Sequence, residues 1–138
     1  MATIISPLIT AGAVFTPFPS GTVGVIYVNV PLTAALALND VIQLAPVTKG
    51  QTVHDVKIKV TDLDTNGAPA IVLDVGDGAT ADWLIDGSTS GQAGGNDSMD
   101  ANVVPKEYTA DDTVDMLVQV APATGATTGT VEAWIYVS

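Results

Sequence analysis

The sequence predicts an all-β fold, an antiparallel β-sandwich of the jelly-roll type. Apolar and polar residues alternate with a period of two in several segments, and Gly, Pro, Asn and Asp separate those segments. The one helix-like stretch, residues 32–38, is too short to form a stable helix. With 138 residues and no cysteine, the chain is long enough to bury a core without disulfides.

Some predicted strands alternate on one face only, and others are apolar on both faces. In residues 56–60, Val56, Ile58 and Val60 alternate with lysines, which is typical of a strand with one face in solvent. Residues 22–30 are apolar on both faces, so we expect both to be covered, and Pro31 to end the strand. The last two strands are predicted to form a hairpin. The predicted strands are residues 4–9, 13–17, 22–30, 41–45, 56–60, 71–75, 83–85, 103–108, 114–120 and 131–137.

The first 39 residues contain no Asp, Glu, Lys, Arg or His, although they are rich in apolar side chains. Because exposed chain is usually kept in solution by charge, this segment is expected to be covered. We predict an N-terminal arm or added strand for assembly in residues 1–20 and a single sandwich domain in residues 21–138. The alternative is an ordinary first strand pair of the domain's own core. The predicted interface residues are Ile4, Ile5, Leu8, Ile9, Val14, Phe15 and Phe18.

Composition excludes several functions. Charged residues are 14% of the chain, against about 25% in an average domain, so part of the exterior is expected to be hidden in an assembly. A net charge of −11, with four lysines and no arginine, would repel nucleic acid and anionic membranes. The N-terminus lacks the basic region of a signal peptide, and no apolar run is long enough to predict a membrane-spanning helix.

Asp62, Asp64 and Asn66 match the first half of a calcium-binding loop, in which oxygens at alternate positions converge on one cation. The match then fails, because the twelfth position is Leu73 where a bidentate Glu is needed. A hairpin with Asn66 and Gly67 in a type I′ turn accounts for the same residues. We therefore predict the turn, with weak adventitious calcium binding as the alternative, and no cofactor.

No constellation of residues predicts an enzyme. His54 is the only histidine, and no nucleophile motif accompanies it, so it is expected to be satisfied by ordinary hydrogen bonds. A sugar-cleaving site usually displays several aromatic side chains beside its acids, and the acidic clusters around Asp77 and Asp112 do not have them. The formation of turns explains why acids are found at these positions. Residues 86–102 are predicted to be a long loop without regular structure.

Three segments carry a resemblance to a known family. The motifs LDVGDG at residues 73–78, ADWLIDG at 81–87 and YTADDTVD at 108–115 resemble small head proteins of tailed bacteriophages. These are similar to the decoration, or cement, proteins on the outside of the capsid. The resemblance implies a jelly-roll domain, a homotrimer, and binding where major capsid subunits meet. It implies no catalytic residues.

We therefore expect a virion structural protein that is made in the host cytoplasm and binds the outer face of a capsid. Its partners would be copies of itself and the major capsid protein, with no nucleic acid and no membrane. The alternative is a tail, fibre-tip or surface-adhesion β-module that binds a host glycan through Trp83 and the loop of residues 86–102.

Overall fold

The computed structural model describes residues 1–15 and 22–138, and within them it contains ten strands. A four-residue helix and one turn of 3-10 helix accompany the strands. The bounds are β1 Thr3–Ile5, α1 Pro7–Thr10, β2 Gly24–Leu32, β3 Val41–Val47, β4 Thr52–Val60, β5 Val72–Gly76, β6 Ile85–Ser88, the 3-10 turn Ser90–Gln92, β7 Gly95–Ser98, β8 Lys106–Glu107, β9 Asp112–Val120 and β10 Gly129–Val137.

The strands form two sheets packed face to face. Sheet 1 has the order β1-β3-β9-β5-β6, and sheet 2 has the order β2-β10-β4-β7 with β8 beside the start of β4. Every pairing is antiparallel except that of β1 with β3. If β1 and β8 are set aside, the eight remaining strands have the orders 1-8-3-6 and 2-7-4-5, which define a jelly roll. The all-β sandwich predicted from the sequence is confirmed.

The core lies between the two sheets and is built from alternate residues of each long strand. In β10, Val131, Ala133, Ile135 and Val137 are buried, while the residues between them are only half-buried. In β4, Val56, Ile58 and Val60 are buried and the lysines between them are exposed, as predicted. Strand alternation therefore sets which side chains reach solvent on each sheet.

The predicted C-terminal hairpin is wrong. Strand β9 lies in sheet 1 between β3 and β5, whereas β10 lies in sheet 2 between β2 and β4. Alternation shows that each segment is a strand with one buried face, but it does not specify the sheet. The connection from β9 to β10 crosses the sandwich, as jelly-roll topology requires.

The N-terminal residues form a shorter strand than predicted. Strand β1 ends at Ile5, because Ser6 begins helix α1 by accepting a hydrogen bond from the Ile9 N–H (3.4 Å), with Pro7 at the first helical position. Residues 13–15 are not in a strand, and the rest of the strand predicted at 13–17 lies outside the described residues. Pro31 does not end β2, which continues to Leu32, and residues 32–38 contain no helix.

The segment predicted as a long patternless loop is folded. Residues 86–102 contain the rest of β6, the 3-10 turn and β7, which pairs with β4 from Lys57 to Val60. The type I′ turn predicted at Asn66 and Gly67 is also wrong, since neither residue has the positive φ that it requires. Instead, this segment is organised around the carboxylate of Asp64.

Candidate functional site

The outer face of sheet 2 presents a cluster of three aromatic side chains. Trp134 on β10 lies beside Tyr27 on β2 and Lys57 on β4, and Tyr136 lies beside Val25 and Asp55 in the same way. Because neighbours along a strand alternate, these side chains point away from the core. We call this surface the aromatic face and define it by Val25, Tyr27, Asn29, Asp55, Lys57, Lys59, Glu132, Trp134 and Tyr136.

The prediction that both faces of β2 are covered is wrong for the chain by itself. Ile26, Val28 and Val30 are buried, but Val25 and Tyr27 are 53% and 46% exposed. Apolar side chains on an open sheet face are typical of a surface that contacts something else. The aromatic face is therefore a candidate interaction surface.

Hydrogen bonds hold the aromatic face in one arrangement. The Tyr27 hydroxyl donates to Glu132 Oε1 at 2.8 Å, and the Asn29 amide donates more weakly to the same oxygen at 3.5 Å. The rings of Tyr27 and Trp134 pack with centroids 5.3 Å apart. These contacts fix the aromatic rings, and they occupy one oxygen of the Glu132 carboxylate.

Two lysines of the aromatic face are unpaired. Among the described residues, no carboxylate lies within 4.0 Å of the ammonium group of Lys57 or Lys59. Lys59 is opposite Glu132 in the strand register, but Glu132 accepts from Tyr27 instead. A shallow groove of about 580 Å³ runs beside them, lined by Lys57, Ile58, Lys59, Asn96, Asp97, Ser98, Trp134 and Tyr136. Because Asp55 and Glu132 share the face and Asp97 lines the groove, this surface carries charges of both signs.

The N-terminal segment is bound to the edge of sheet 1. The main chain of Ala2 donates to Asp40 Oδ1 at 2.7 Å, and β1 then pairs in parallel with Val41–Gln43 of β3. Further along, the Thr48 hydroxyl donates to the Phe15 carbonyl oxygen at 2.8 Å. These contacts attach both ends of residues 2–15 to the sandwich.

The predicted interface residues divide into two groups. Ile4, Leu8 and Phe15 pack against the chain's own core, and Ile9 is half-buried. Ile5 and Val14 remain 50% and 73% exposed. Phe18 lies outside the described residues. Within the chain itself, Ile5 and Val14 are thus the described members of the predicted set most open to a partner.

Asp77, in the middle of the Gly76-Asp77-Gly78 motif, is buried and forms a structural centre. Asp77 accepts hydrogen bonds from the Ala79 and Thr80 N–H groups, as in an Asx turn, and from the Tyr108 hydroxyl at 2.8 Å. Lys106 Nζ donates to the same carboxylate. Burial alone would raise the pKa of Asp77, but these donors, Lys106 first, hold it below its ordinary value. Asp77 is therefore an ionised anchor of the turn.

Two other acids near this centre have raised pKa values. The pKa of Asp115 is raised to about 6, chiefly by burial. The hydrogen bond that the Thr113 hydroxyl donates to Asp115 lowers this pKa, whereas the negative charges of Asp112 and Asp77 contribute to its rise. Burial also raises the pKa of Asp74, opposed by the Gly87 N–H and assisted by Asp86 and Asp82. Sheet 1 therefore carries carboxyls that resist ionisation.

The candidate calcium ligands do not converge on one point. Both oxygens of Asp64 accept main-chain hydrogen bonds, from the N–H groups of residues 66, 70, 71, 123 and 124. Asp62 Oδ1 accepts from the Asp64 N–H, and Asn66 Oδ1 accepts from the Ala68 N–H. Burial would raise the pKa of Asp64, but the main-chain donors hold it far below the ordinary value. These oxygens shape the local backbone.

His54 lies at an irregular point of β4, where the pairing with β10 shifts register. Its Nε2 atom is 2.7 Å from the Ser138 hydroxyl, so it has the ordinary hydrogen-bond partner that was predicted. In residues 1–15 and 22–138, no three His, Cys, Asp or Glu side chains are grouped to hold a metal ion. The same residues include no helix long and apolar enough to cross a membrane.

Comparisons with known proteins identify the class. No protein-family model and no curated protein matches the chain. A chain in the structure of the capsid of Ralstonia phage GP4 is 29% identical, with 99% of this chain and 97% of that chain covered and a TM-score of 0.79. A chain of the cyanophage Pam1 capsid asymmetric unit is 27% identical, with coverage of 92% and 94% and a TM-score of 0.74.

The protein is thus a phage capsid-related β-sandwich. This confirms the expected relation to phage head proteins. The acid-stable capsid of Helicobacter pylori bacteriophage KHP30 also contains a similar chain, at 14% identity and a TM-score of 0.56. The alignment covers 85% of this chain and 94% of that one, and it supports the fold alone. The two more similar chains support a structural role in the virion.

The sequence predicted part of the aromatic face. The alternation of β10 placed Trp134 and Tyr136 on one strand face, and the structure confirms this. It did not place Tyr27 beside them, because that contact depends on the pairing of β2 with β10 across about a hundred residues of chain. The only feature of the sequence that pointed to Tyr27 was that Val25 and Tyr27 are apolar residues on the same face of the strand predicted at residues 22–30.

Proposed function

We propose that this chain is a virion structural protein that binds the outer surface of a phage capsid and stabilises it by bridging neighbouring major capsid subunits. One observation carries the proposal: the chain matches a capsid chain of Ralstonia phage GP4 over 99% of its own length. The motifs at residues 73–78, 81–87 and 108–115 that resemble decoration proteins lie within that match. The proposed role is structural and requires no catalysis.

Charge favours the outer surface over the interior. A protein that lines a capsid faces packaged nucleic acid, whose phosphates attract lysine and arginine. This chain has fifteen acids, four lysines and no arginine, so contact with nucleic acid would be repulsive. Self-repulsion between copies on a capsid is screened beyond about 8 Å at physiological ionic strength, and apolar contacts at shorter range can exceed it.

The N-terminal segment is the part of the chain we assign to the capsid contact. Its packed members, Ile4 and Leu8, hold the segment on sheet 1, and this leaves Ile5 and Val14 exposed at fixed positions. A rigidly held apolar side chain loses little conformational freedom when it is buried by a partner, so it contributes more to affinity than a mobile one. In this proposal, the capsid is therefore contacted by side chains that the domain holds in fixed positions.

A capsid-binding measurement tests the proposal. Purified protein is added to capsids that lack it, and binding and thermal stability of the particle are measured. The wild-type protein should saturate surface sites and raise the temperature at which capsids disrupt. The double variant Ile5→Ser, Val14→Ser should bind about tenfold more weakly while its own melting temperature changes little.

Val104 provides a matched control, because it has the same exposed fraction as Val14, 73%, and lies far along the chain from the N-terminal segment. Val104→Ser should leave capsid binding unchanged. If the wild-type protein binds no capsid site, the proposed function is wrong. If the double variant binds like wild type, the function stands but the contact lies elsewhere.

The alternative function, glycan binding, was assigned to Trp83 and residues 86–102. The Trp83 ring packs against the core and lies under the Lys106 ammonium, whose Nζ atom is 5.2 Å from the ring centroid. Its indole nitrogen is buried. A sugar-stacking tryptophan presents an open ring face to its ligand, whereas Trp83 is half-buried and has a lysine over its ring. Labelled antibody against the protein should decorate the heads of virions, whereas a fibre-tip module would be labelled on the tail.

A further inference from the structure

We propose that the groove on the outer face of sheet 2 binds an uncharged oligosaccharide, a chain of pyranose sugars from the surface polysaccharide of a bacterial host. The groove lies between the aromatic side chains of β10 and the short strand β7, and its tryptophan is Trp134, not the half-buried Trp83. The site is argued from its own residues. The bacterial source of the sugar rests on the proposed position outside a phage capsid, and sugar binding is an activity beyond that structural role.

The strand register gives the groove one high side and one low side. Trp134 and Tyr136 are alternate residues of β10, about 7 Å apart along the strand, and both line the groove. On the opposite side, β7 contributes the smaller side chains of Asn96 and Ser98, which lie opposite the lysines of β4. The volume of about 580 Å³ is within the range of sites that bind small ligands.

Most polar side chains of the groove have no partner within the protein. Among residues 1–15 and 22–138, nothing bonds to the two lysine ammonium groups, the Asn96 amide or the Ser98 hydroxyl, and these last two residues bond only through main-chain atoms. The Trp134 indole N–H is also unpaired and, in contrast to that of Trp83, it is not buried. These groups are therefore available to a ligand.

The other half of the aromatic face supports the groove instead of binding in it. Tyr27 and Asn29 donate to Glu132, so these three side chains satisfy one another. The Tyr27 ring also packs against Trp134 on the side away from the groove. The Trp134 ring is thus held in place before a ligand arrives, which reduces the conformational freedom lost on binding.

Aromatic rings beside unpaired amide and hydroxyl groups suit a sugar. The C–H groups on one face of a pyranose ring pack against an aromatic ring, while its hydroxyls both donate and accept hydrogen bonds. Trp134 and Tyr136 offer the apolar contact. The Asn96 amide both donates and accepts, as does the Ser98 hydroxyl, so each can pair with sugar hydroxyls in either direction.

The charges at the groove favour an uncharged ligand. Two ammonium groups, those of Lys57 and Lys59, line it. Three carboxylates oppose them, because Asp97 lines the groove and Asp55 and Glu132 share the sheet face. Charges of both signs produce no strong field that would attract a polyanion or a polycation. They can still form hydrogen bonds with neutral sugar hydroxyls.

The test begins with purified full-length protein on a printed array of bacterial surface oligosaccharides, some neutral and some containing uronic acids. Wild type should bind neutral oligosaccharides, and the one bound most strongly is then titrated by calorimetry. Trp134→Ala should weaken its binding by about tenfold or more, and Asn96→Ala by about fivefold. Asn102→Ala is the matched control, since Asn102 is exposed and does not line the groove, and it should bind like wild type.

Trp134→Phe provides a second readout. It keeps an aromatic ring in the groove, so it should bind the sugar more strongly than Trp134→Ala does. The ligand should change the tryptophan fluorescence of wild type, and this change should be absent from Trp134→Phe, in which Trp83 is the one remaining tryptophan. Asn96 is exposed, so circular dichroism of Asn96→Ala should show an unchanged fold.

The inference is overturned if wild type binds no neutral oligosaccharide at millimolar concentration, or if Trp134→Ala and Asn96→Ala both bind like wild type. Binding confined to acidic sugars would overturn the choice of an uncharged ligand. If wild type binds no sugar and Asn96→Ala loses capsid binding, the groove contacts protein instead. Failure of wild type to bind capsids, with sugar binding intact, would remove the proposed function and leave the groove a sugar site.

Discussion

Lys106 Nζ lies 2.7 Å from Asp77 Oδ2, and the same ammonium group stands over the rings of Trp83 and Tyr108 at 5.2 and 4.9 Å from their centroids. The Asp77 side chain is fully buried, whereas that of Lys106 is 39% exposed. The pair joins the Gly76-Asp77-Gly78 turn to the start of strand β8, and cation–π contacts fix the lysine in place.

Asp77→Ala should destabilise the protein by about 2 kcal/mol or more, because the Tyr108 hydroxyl and the N–H groups of Ala79 and Thr80 lose their acceptor. Lys106→Met should cost less, since the Asp77 carboxylate keeps three other donors. Urea unfolding measures both values. Lys49→Met, at an exposed lysine, should stay within about 0.5 kcal/mol of wild type. Equal losses for Asp77→Ala and Lys49→Met would contradict the structural role of Asp77.

Asp115→Asn should stabilise the protein at neutral pH. The pKa of Asp115 is raised from 3.8 to about 6, so the folded state holds a proton that the unfolded state has released between those pH values. Ionisation of this group therefore lowers stability as the pH rises from about 4 to 6. The variant should gain roughly 1 kcal/mol above pH 6, a value reduced for partial solvation of the group, and should match wild type near pH 4.

The measurement is the difference in unfolding free energy between Asp115→Asn and wild type from pH 4 to 7.5, in which the titration of other acids largely cancels. A difference that does not change with pH would mean that Asp115 ionises at its ordinary pKa.

Asp64→Ala should destabilise the protein by about 3 kcal/mol or more, because five buried or half-buried main-chain N–H groups lose their acceptor. Asp62→Ala removes one acceptor at an exposed site and should cost less than about 1.5 kcal/mol. Thermal unfolding of wild type should also be unchanged by millimolar calcium, since the Asp64 oxygens are occupied by main-chain donors. A calcium-dependent rise in melting temperature would show that the cation displaces them.

Gly76→Ala should destabilise the turn much more than Gly78→Ala. A Cβ atom at Gly76 would collide with the main-chain carbonyl groups of Thr80 and Ala81, which cannot move without breaking the turn. At Gly78 the nearest atom is a side-chain oxygen of Asp112 at 3.3 Å, which can rotate away. Chemical denaturation of the two variants compares them, and similar losses would show that the main chain of residues 76–81 adapts easily.

Local patterns predicted the strands well, and contacts distant in sequence account for most of the errors. Residues 56–60 and 131–137 were predicted because one face of each strand lies in the core, and this produces alternation in the sequence itself. The sheet that holds β9, by contrast, depends on β3 and β5, and no local pattern specifies that choice. Asp64 was interpreted through its near neighbours, whereas two of its donors, Ala123 and Thr124, lie about 60 positions away.

Contacts distant in sequence also decide which apolar side chains are covered. The sequence indicated that Val25 and Tyr27 are suited to burial, but composition does not specify whether a chain or its neighbour supplies the cover. Likewise, composition showed that the N-terminal segment is uncharged and apolar, but it did not show which of its side chains face the core. Its division into Ile4, which packs on the core, and Ile5, which does not, follows from the register of β1 on β3.

The position of β10 determines when this fold can form during synthesis. Strand β10 follows every other strand in the chain, yet it occupies the middle of sheet 2 between β2 and β4. Strands β2 and β4 both pair with β10 and not with each other. Sheet 2 therefore cannot be completed before residues 129–137 are available, so the folding of residues 24–60 depends on a segment made much later.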